Sequence, residues 1–149
     1  MSPHIAITAF FLGAPFMIGI DYSVPLLYLP LELQKFGVEE YNIGLIFCTY
    51  SLTIVVVAEY FATRIDVIGR KQMIAIGYLF MTGPFAMFGL ASYFQLAKVT
   101  YILVSMAGRM MHGVGTLMLA CTSYSTLVIS YPKNRNVIIS IAETALNIG

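Results

Sequence analysis

The chain has 149 residues, of which 59% are hydrophobic and 10% charged, with a net charge of +1 and a mean hydropathy of +0.85. A soluble domain carries about 25% charged residues, so a chain this apolar cannot cover itself with polar surface in water, and lipid is its expected solvent. The near-neutral charge and the lack of any Lys/Arg run argue against a nucleic-acid partner. The two cysteines, Cys48 and Cys121, sit in apolar stretches and form no CxxC pair, so they read as small packing residues and not as a disulfide or metal site.

The opening Met1-Ser2-Pro3-His4 lacks the basic head of a signal peptide, and no A-x-A-like cleavage site follows. A first membrane helix is therefore expected over residues 5–29. At about 1.5 Å per residue it would extend roughly 37 Å, enough to cross a hydrocarbon core of about 30 Å with tilt. Gly13, Pro15, Gly19 and Pro25 lie inside it, and such breakers are tolerated where neighbouring helices satisfy the freed backbone groups. A polar loop holding Glu32, Lys35, Gly37, Glu39 and Glu40 is expected next.

The second helix is expected over residues 42–62. Gly44, Cys48, Ser51, Val55, Ala58 and Ala62 recur at spacings of four and three, which draws a stripe of small side chains suited to close helix packing. A charged loop over residues 63–71 follows. The third helix is expected over residues 73–96, with Gly83-Pro84 as a kink. The fourth is expected over residues 100–124, with a continuation toward Tyr131. A fifth opens at Val137 after the Pro132-Lys133-Asn134-Arg135-Asn136 loop and reaches Gly149 over residues 137–149, short of the roughly 20 residues that a spanning helix needs.

With a cytoplasmic N-terminus, Arg64, Arg70, Lys71, Lys133 and Arg135 fall on the cytoplasmic side and Lys35 and Lys98 on the other, the asymmetry of the positive-inside rule. Tyr28, Tyr41, Tyr93 and Tyr101 would then form a belt at the outer interface.

Two motifs stand out. After the second helix the chain reads Ala62-Thr63-Arg64-Ile65-Asp66-Val67-Ile68-Gly69-Arg70-Lys71, where Gly69 permits a tight turn and Asp66 and Arg70 can pair or cap helix ends. In the fourth helix it reads Arg109-Met110-Met111-His112-Gly113-Val114-Gly115. Together they resemble the major facilitator superfamily. Its loop pattern G-x-x-x-D-[RK]-x-G-[RK]-[RK] is matched at Asp66, Gly69, Arg70 and Lys71, with Ala62 and Val67 as departures. Its fourth-helix pattern R-x-x-x-G-x-G is matched at Arg109, Gly113 and Gly115, with His112 where Gln is common. Three shorter stretches look like the vesicular amine and polyamine branch: Val24-Pro25 through Leu29-Pro30, Ile43-Gly44-Leu45-Ile46-Phe47, and Ala142-Glu143-Thr144.

Ionisable residues within membrane segments call for a partner or a water-filled cavity, since one charge at the bilayer centre costs about 3 kcal/mol on insertion scales. Asp21, Arg109, His112 and Glu143 are of this kind. Glu59, near the cytoplasmic loop, reads as a snorkelling or Arg64-paired structural residue. Asp21 and Arg109 are both expected roughly 12–14 Å deep, so a carboxylate and a guanidinium can neutralise each other there. The functional reading gives Asp21 the proton or a cationic solute and makes Arg109 its tuning partner; the alternative is a permanent ion pair. His112 suits either a proton shuttle or a neutral hydrogen-bonded tie between helices, and Glu143 either a coupling carboxylate or a tie.

The expected fold is all-α: four full transmembrane helices and the start of a fifth. The resemblance makes residues 1–149 an incomplete half of a six-helix bundle. It implies secondary active transport of a small organic solute, as proton-coupled antiport of a cationic amine or polyamine. The alternative is a non-transporting structural membrane subunit derived from a transporter. No enzyme motif is present: no HExxH, Walker loop or nucleophile elbow. No metal or cofactor is implied. The expected partners are the lipid bilayer, the solute and protons, and a missing C-terminal part or a second membrane polypeptide, without which residues 1–149 are not expected to transport.

Overall fold

The computed structural model describes residues 3–94 and 97–149, with side chains described from Phe11 onward. Five helices follow one another: α1 (Pro3–Lys35), α2 (Glu40–Ile68), α3 (Arg70–Tyr93), α4 (Lys98–Ser130) and α5 (Arg135–Ile148). Among the described residues there is no strand. Four stretches are long and apolar enough to cross a membrane: Phe11–Lys35, Glu40–Ile68, Arg70–Tyr93 and Lys98–Ser130. In lipid this architecture follows from the backbone itself, because a helix satisfies its own N–H and C=O groups where water cannot. Hydroxyl groups follow the same rule: Thr53, Thr82, Thr122 and Thr126 each donate to the carbonyl one turn back, at 2.7–2.9 Å.

The central helix is α4, which packs against α1, α2, α3 and α5, while α1 packs chiefly on α5 and α4. Its buried residues recur every three or four positions (Tyr101, Ser105, Gly108, His112, Gly115, Leu119, Thr122), which lays one stripe of the helix against its neighbours. Glycines set how close those neighbours come. A Cβ at Gly113 would stand 2.9 Å from the Tyr50 carbonyl oxygen of α2, and one at Gly115 would stand 2.7 Å from both the Gly77 carbonyl oxygen and the Met81 nitrogen of α3. Two apolar clusters fill the spaces left. Leu29, Leu33, Val38, Ile43, Ile46, Phe88, Ala91 and Tyr101 gather near one end, and Ile18, Met81 and Leu119 lie nearer the middle.

Several elements run further than the sequence suggested. The first helix does not stop at Leu29 but continues through Pro30 to Lys35, leaving only residues 36–39 as connection. Leu29 and Leu33 are fully buried one turn apart, so the core pulls this last stretch into helix. Glu32, expected in a polar loop, is buried in that helix; it accepts from Lys35 at 2.5 Å and from Ser92 of α3 at 3.1 Å. The charged loop after the second helix shrinks to one residue, Gly69, with Asp66 and Arg70 inside helices. The third helix runs unbroken through a buried Pro84, and the fourth ends at Ser130, next to the expected limit at Tyr131.

The small-residue stripe of α2 faces outward: Gly44, Cys48, Ser51, Val55 and Ala62 are exposed. The close approach of α2 to α4 comes from Gly113 on α4, beneath a face of α2 that carries Tyr50, Thr53 and Ile54. Tyr101 does not join a surface belt; it is fully buried and stacks on Phe36 with ring centroids 4.4 Å apart, whereas Tyr28, Tyr41 and Tyr93 are exposed. Cys48 and Cys121 are free thiols.

Candidate functional site

The α1–α4 contact brings three of the predicted ionisable residues together. His112 Nε2 lies 2.5 Å from Asp21 Oδ2, and His112 Nδ1 lies 3.2 Å from Arg109 Nη1. Arg109 and His112 are three residues apart on α4, hence on one face, and Asp21 reaches them from α1. The direct Asp21–Arg109 pair that the matched depths suggested is replaced by a chain of contacts with the imidazole in the middle. Pro25 stands four residues after Asp21 and so denies the Asp21 carbonyl its usual helical N–H, which adds a further polar group at this level of α1.

Arg109 is fully buried, and its Nε and Nη2 have no hydrogen-bond partner. Rings surround it instead: the guanidinium carbon lies 4.6 Å from the centroid of Phe47, 4.7 Å from that of Tyr50 and 5.9 Å from that of Tyr22. A desolvated cation over a ring gains about 2 kcal/mol, comparable to the roughly 3 kcal/mol of placing the charge at mid-bilayer. The rings thus hold the cation as much as the carboxylate does. Sequence reasoning missed this aromatic set. Its signal was present: Tyr22 follows Asp21 directly, and Phe47 and Tyr50 are three apart on α2.

Asp21 is the accessible member of the chain, with its side chain 17% exposed against 1% for His112. It opens on a cavity of about 260 Å³ between α1 and α3, lined also by Met17, Ile20, Val24, Tyr78, Met81, Thr82 and Phe85. A larger cavity of about 650 Å³ lies on the other side of α1, where Tyr22 and Phe47 form part of the wall with Cys48, Leu52 and Met106. An anionic group in an otherwise apolar cavity wall suits a cation that carries an apolar body.

Glu143 is not part of this cluster. It lies exposed on α5. At the α2–α3 corner, Arg70 Nη2 stands 3.6 Å from Asp66 Oδ1 one turn away, with Asp66 84% exposed, a geometry that stabilises little by itself. Gly69 has φ +88° and ψ 133°, a conformation that essentially only glycine adopts, and Lys71 is exposed beyond it. Glu59 is exposed, and Arg64 lies over the Tyr60 ring at 5.1 Å. Among the described residues no group of three or more His, Cys, Asp or Glu side chains could hold a metal ion.

The family model of the Major Facilitator Superfamily matches residues 10–149. The chain belongs to the Major Facilitator Superfamily. Superfamily members are membrane transporters and not enzymes, which fits four apolar helices around a buried ionisable cluster. Curated relatives include the quinolone resistance protein NorA of Staphylococcus aureus strains Mu50 and N315, each 26% identical over 98 residues, or 65% of this chain and 25% of the relative. The match thus spans about a quarter of the length of these relatives. No solved structure matches the chain.

Proposed function

We propose that the protein is a proton-coupled antiporter for a small cationic organic solute, with Asp21 as the group that proton and solute share. The observation that carries this reading is the Asp21 carboxylate, partly exposed on an apolar cavity and bound through His112 to the buried Arg109. One negative charge in such a wall can be met by a proton or by an ammonium group, and exclusive occupation by one of them is what exchange requires. The name of the matched relatives, quinolone resistance proteins, agrees with an organic solute. The three stretches similar to the amine and polyamine branch favour a cation.

In this reading Glu143 supports coupling from α5, the Asp66–Arg70 corner gates the cytoplasmic side, and further polypeptide supplies the second wall that alternating access needs. The test is a proteoliposome of the assembled transporter with an acidic lumen. A protonated aromatic amine is expected to accumulate inside, and a protonophore to release it. No accumulation above empty liposomes would leave the chain a structural membrane subunit.

The same reading sets orientation. Arg64, Arg70, Lys71, Lys133 and Arg135 favour a cytoplasmic α2–α3 corner and N-terminus, with the α1–α2 connection outside. With Cys48 and Cys121 replaced by Ser, a cysteine at position 35 should react with an impermeant thiol reagent on intact cells, and one at position 71 only after permeabilisation. Reaction of Lys71→Cys on intact cells would reverse the orientation.

A further inference from the structure

Arg109 has only N–H donors, so any ring nitrogen that bonds it must offer a lone pair. Its Nη1 stands 3.2 Å from His112 Nδ1. Nδ1 therefore carries no hydrogen in this arrangement, and the ring hydrogen sits on Nε2, 2.5 Å from Asp21 Oδ2. The contacts have one polarity: Arg109 donates to His112, and His112 donates to Asp21. A second ring proton would have to go on Nδ1, facing a guanidinium that cannot accept it.

Of the groups facing the ring, Arg109 repels a positive charge, whereas Asp21 and the ring faces of Tyr50 and Phe85 attract one; what excludes a second proton is that the one free nitrogen faces Arg109. Its own helix presents the Arg109 cation. The second helix contributes the Tyr50 ring at 5.2 Å, and the third contributes Phe85 at 6.2 Å. The first contributes Asp21, with Tyr22 behind it against Tyr50. Asp21 is open to the cavity while the imidazole is 1% exposed. A proton arriving from the cavity reaches the carboxylate first.

We infer that His112 is a positioning residue that stays neutral with its hydrogen on Nε2, holding the Asp21 carboxylate in place and linking it to Arg109, while proton and solute meet at Asp21. This rests on the reading of Asp21 as the exchange site, and it removes the shuttle role from His112.

Residues 1–149 hold two histidines, so with the label confined to this segment His4→Gln leaves His112 as the only labelled imidazole. With ¹⁵N-imidazole labelling in lipid nanodiscs at neutral pH, Nδ1 is expected to give the signal of a bare nitrogen and Nε2 that of a protonated one. A proton on Nδ1, or on both nitrogens, would overturn the inference. In the proteoliposome assay His112→Gln should keep uptake within roughly threefold, because an amide offers the same acceptor and donor, whereas His112→Leu should lose roughly tenfold or more. Equal loss in both variants would make His112 the proton carrier, and equal retention would make it dispensable; either outcome defeats the proposal. Should His112→Leu fail to fold, the nitrogen signals and the Gln variant decide. A wild-type protein that shows the expected nitrogen signals but no uptake would refute the exchange reading alone.

Discussion

Asp21→Asn is expected to reduce proton-driven accumulation of a cationic amine to the level of empty liposomes while leaving the protein folded in the membrane. Asparagine has the same size, and its carbonyl oxygen can still accept from His112 Nε2, so the α1–α4 contact keeps its hydrogen bond. The negative charge is what disappears. A charge-assisted contact of about 3 kcal/mol is worth roughly a hundredfold in affinity for the cation. The proton loses its site as well, so exchange fails from both sides. The buried Arg109 keeps its three ring faces, which is why the fold should survive the loss of a counter-charge that it touches only through His112. Asp21→Glu retains the charge, but its extra methylene cannot keep the 2.5 Å contact without a shift of α1, so an intermediate rate is expected. The checks are uptake rate together with monodisperse elution from a sizing column. Undiminished uptake by a well-folded Asp21→Asn protein would remove Asp21 from the mechanism.

Gly115→Ala is expected to be strongly destabilising. The added methyl would meet the Gly77 carbonyl oxygen at 2.7 Å, the Met81 nitrogen at 2.7 Å and the Phe80 carbonyl carbon at 2.9 Å, all of them backbone. No rotamer change relieves such contacts, so α3 must move off α4 along the most extensive helix contact of the fold. Overpacking of this kind costs about 1–3 kcal/mol, and more for a larger side chain. Gly77→Ala should be milder, since its nearest obstacle is a flexible Leu119 side chain at 2.9 Å. Gly44→Ala and Gly89→Ala meet nothing within 4 Å and should raise helix stability by up to about 1 kcal/mol. Loss of helicity by circular dichroism, titrated with dodecyl sulfate against a mild detergent, ranks the four variants. A Gly115→Ala protein as resistant as Gly44→Ala would show that the α3–α4 crossing is looser than described.

The membrane helices were legible because hydropathy over some twenty residues is a local property. Asp21, Arg109 and His112 were legible because a charge in an apolar run is rare. Their arrangement was not. Which of two α4 residues one turn apart reaches Asp21 depends on how α1 crosses α4, and that crossing is fixed by packing distant in sequence. The rings around Arg109 were hidden by abundance: with ten Tyr and ten Phe in the chain, no single one stands out. Glu32 and Lys35 misled for a different reason. Their polarity suggested a loop, yet as an i, i+3 pair with Ser92 as a third partner they end a helix held in the core by Leu29 and Leu33. The stripe on α2 misled because close approach needs small residues on one helix only, and Gly113 of α4 already provides them.

The two junctions of α2 are both tied down. Residues 36–39 join α1 to α2, with the N–H groups of Gly37 and Val38 bonded back to Gln34 and Leu33 at 2.9 and 3.0 Å, Val38 buried in the core and Phe36 stacked on Tyr101. The α2–α3 junction is Gly69 alone, with Gly69 N–H bonded back to Ile65 at 3.1 Å and its carbonyl accepting from Met73 at 3.1 Å. A joint clamped from both sides transmits torque instead of absorbing it. Any tilt of α2 is therefore handed to α3, and through the Gly77–Gly115 contact to α4 and the Arg109–His112–Asp21 chain it carries. With a stiff elbow at each end, α2 tilts together with its neighbours and not against them.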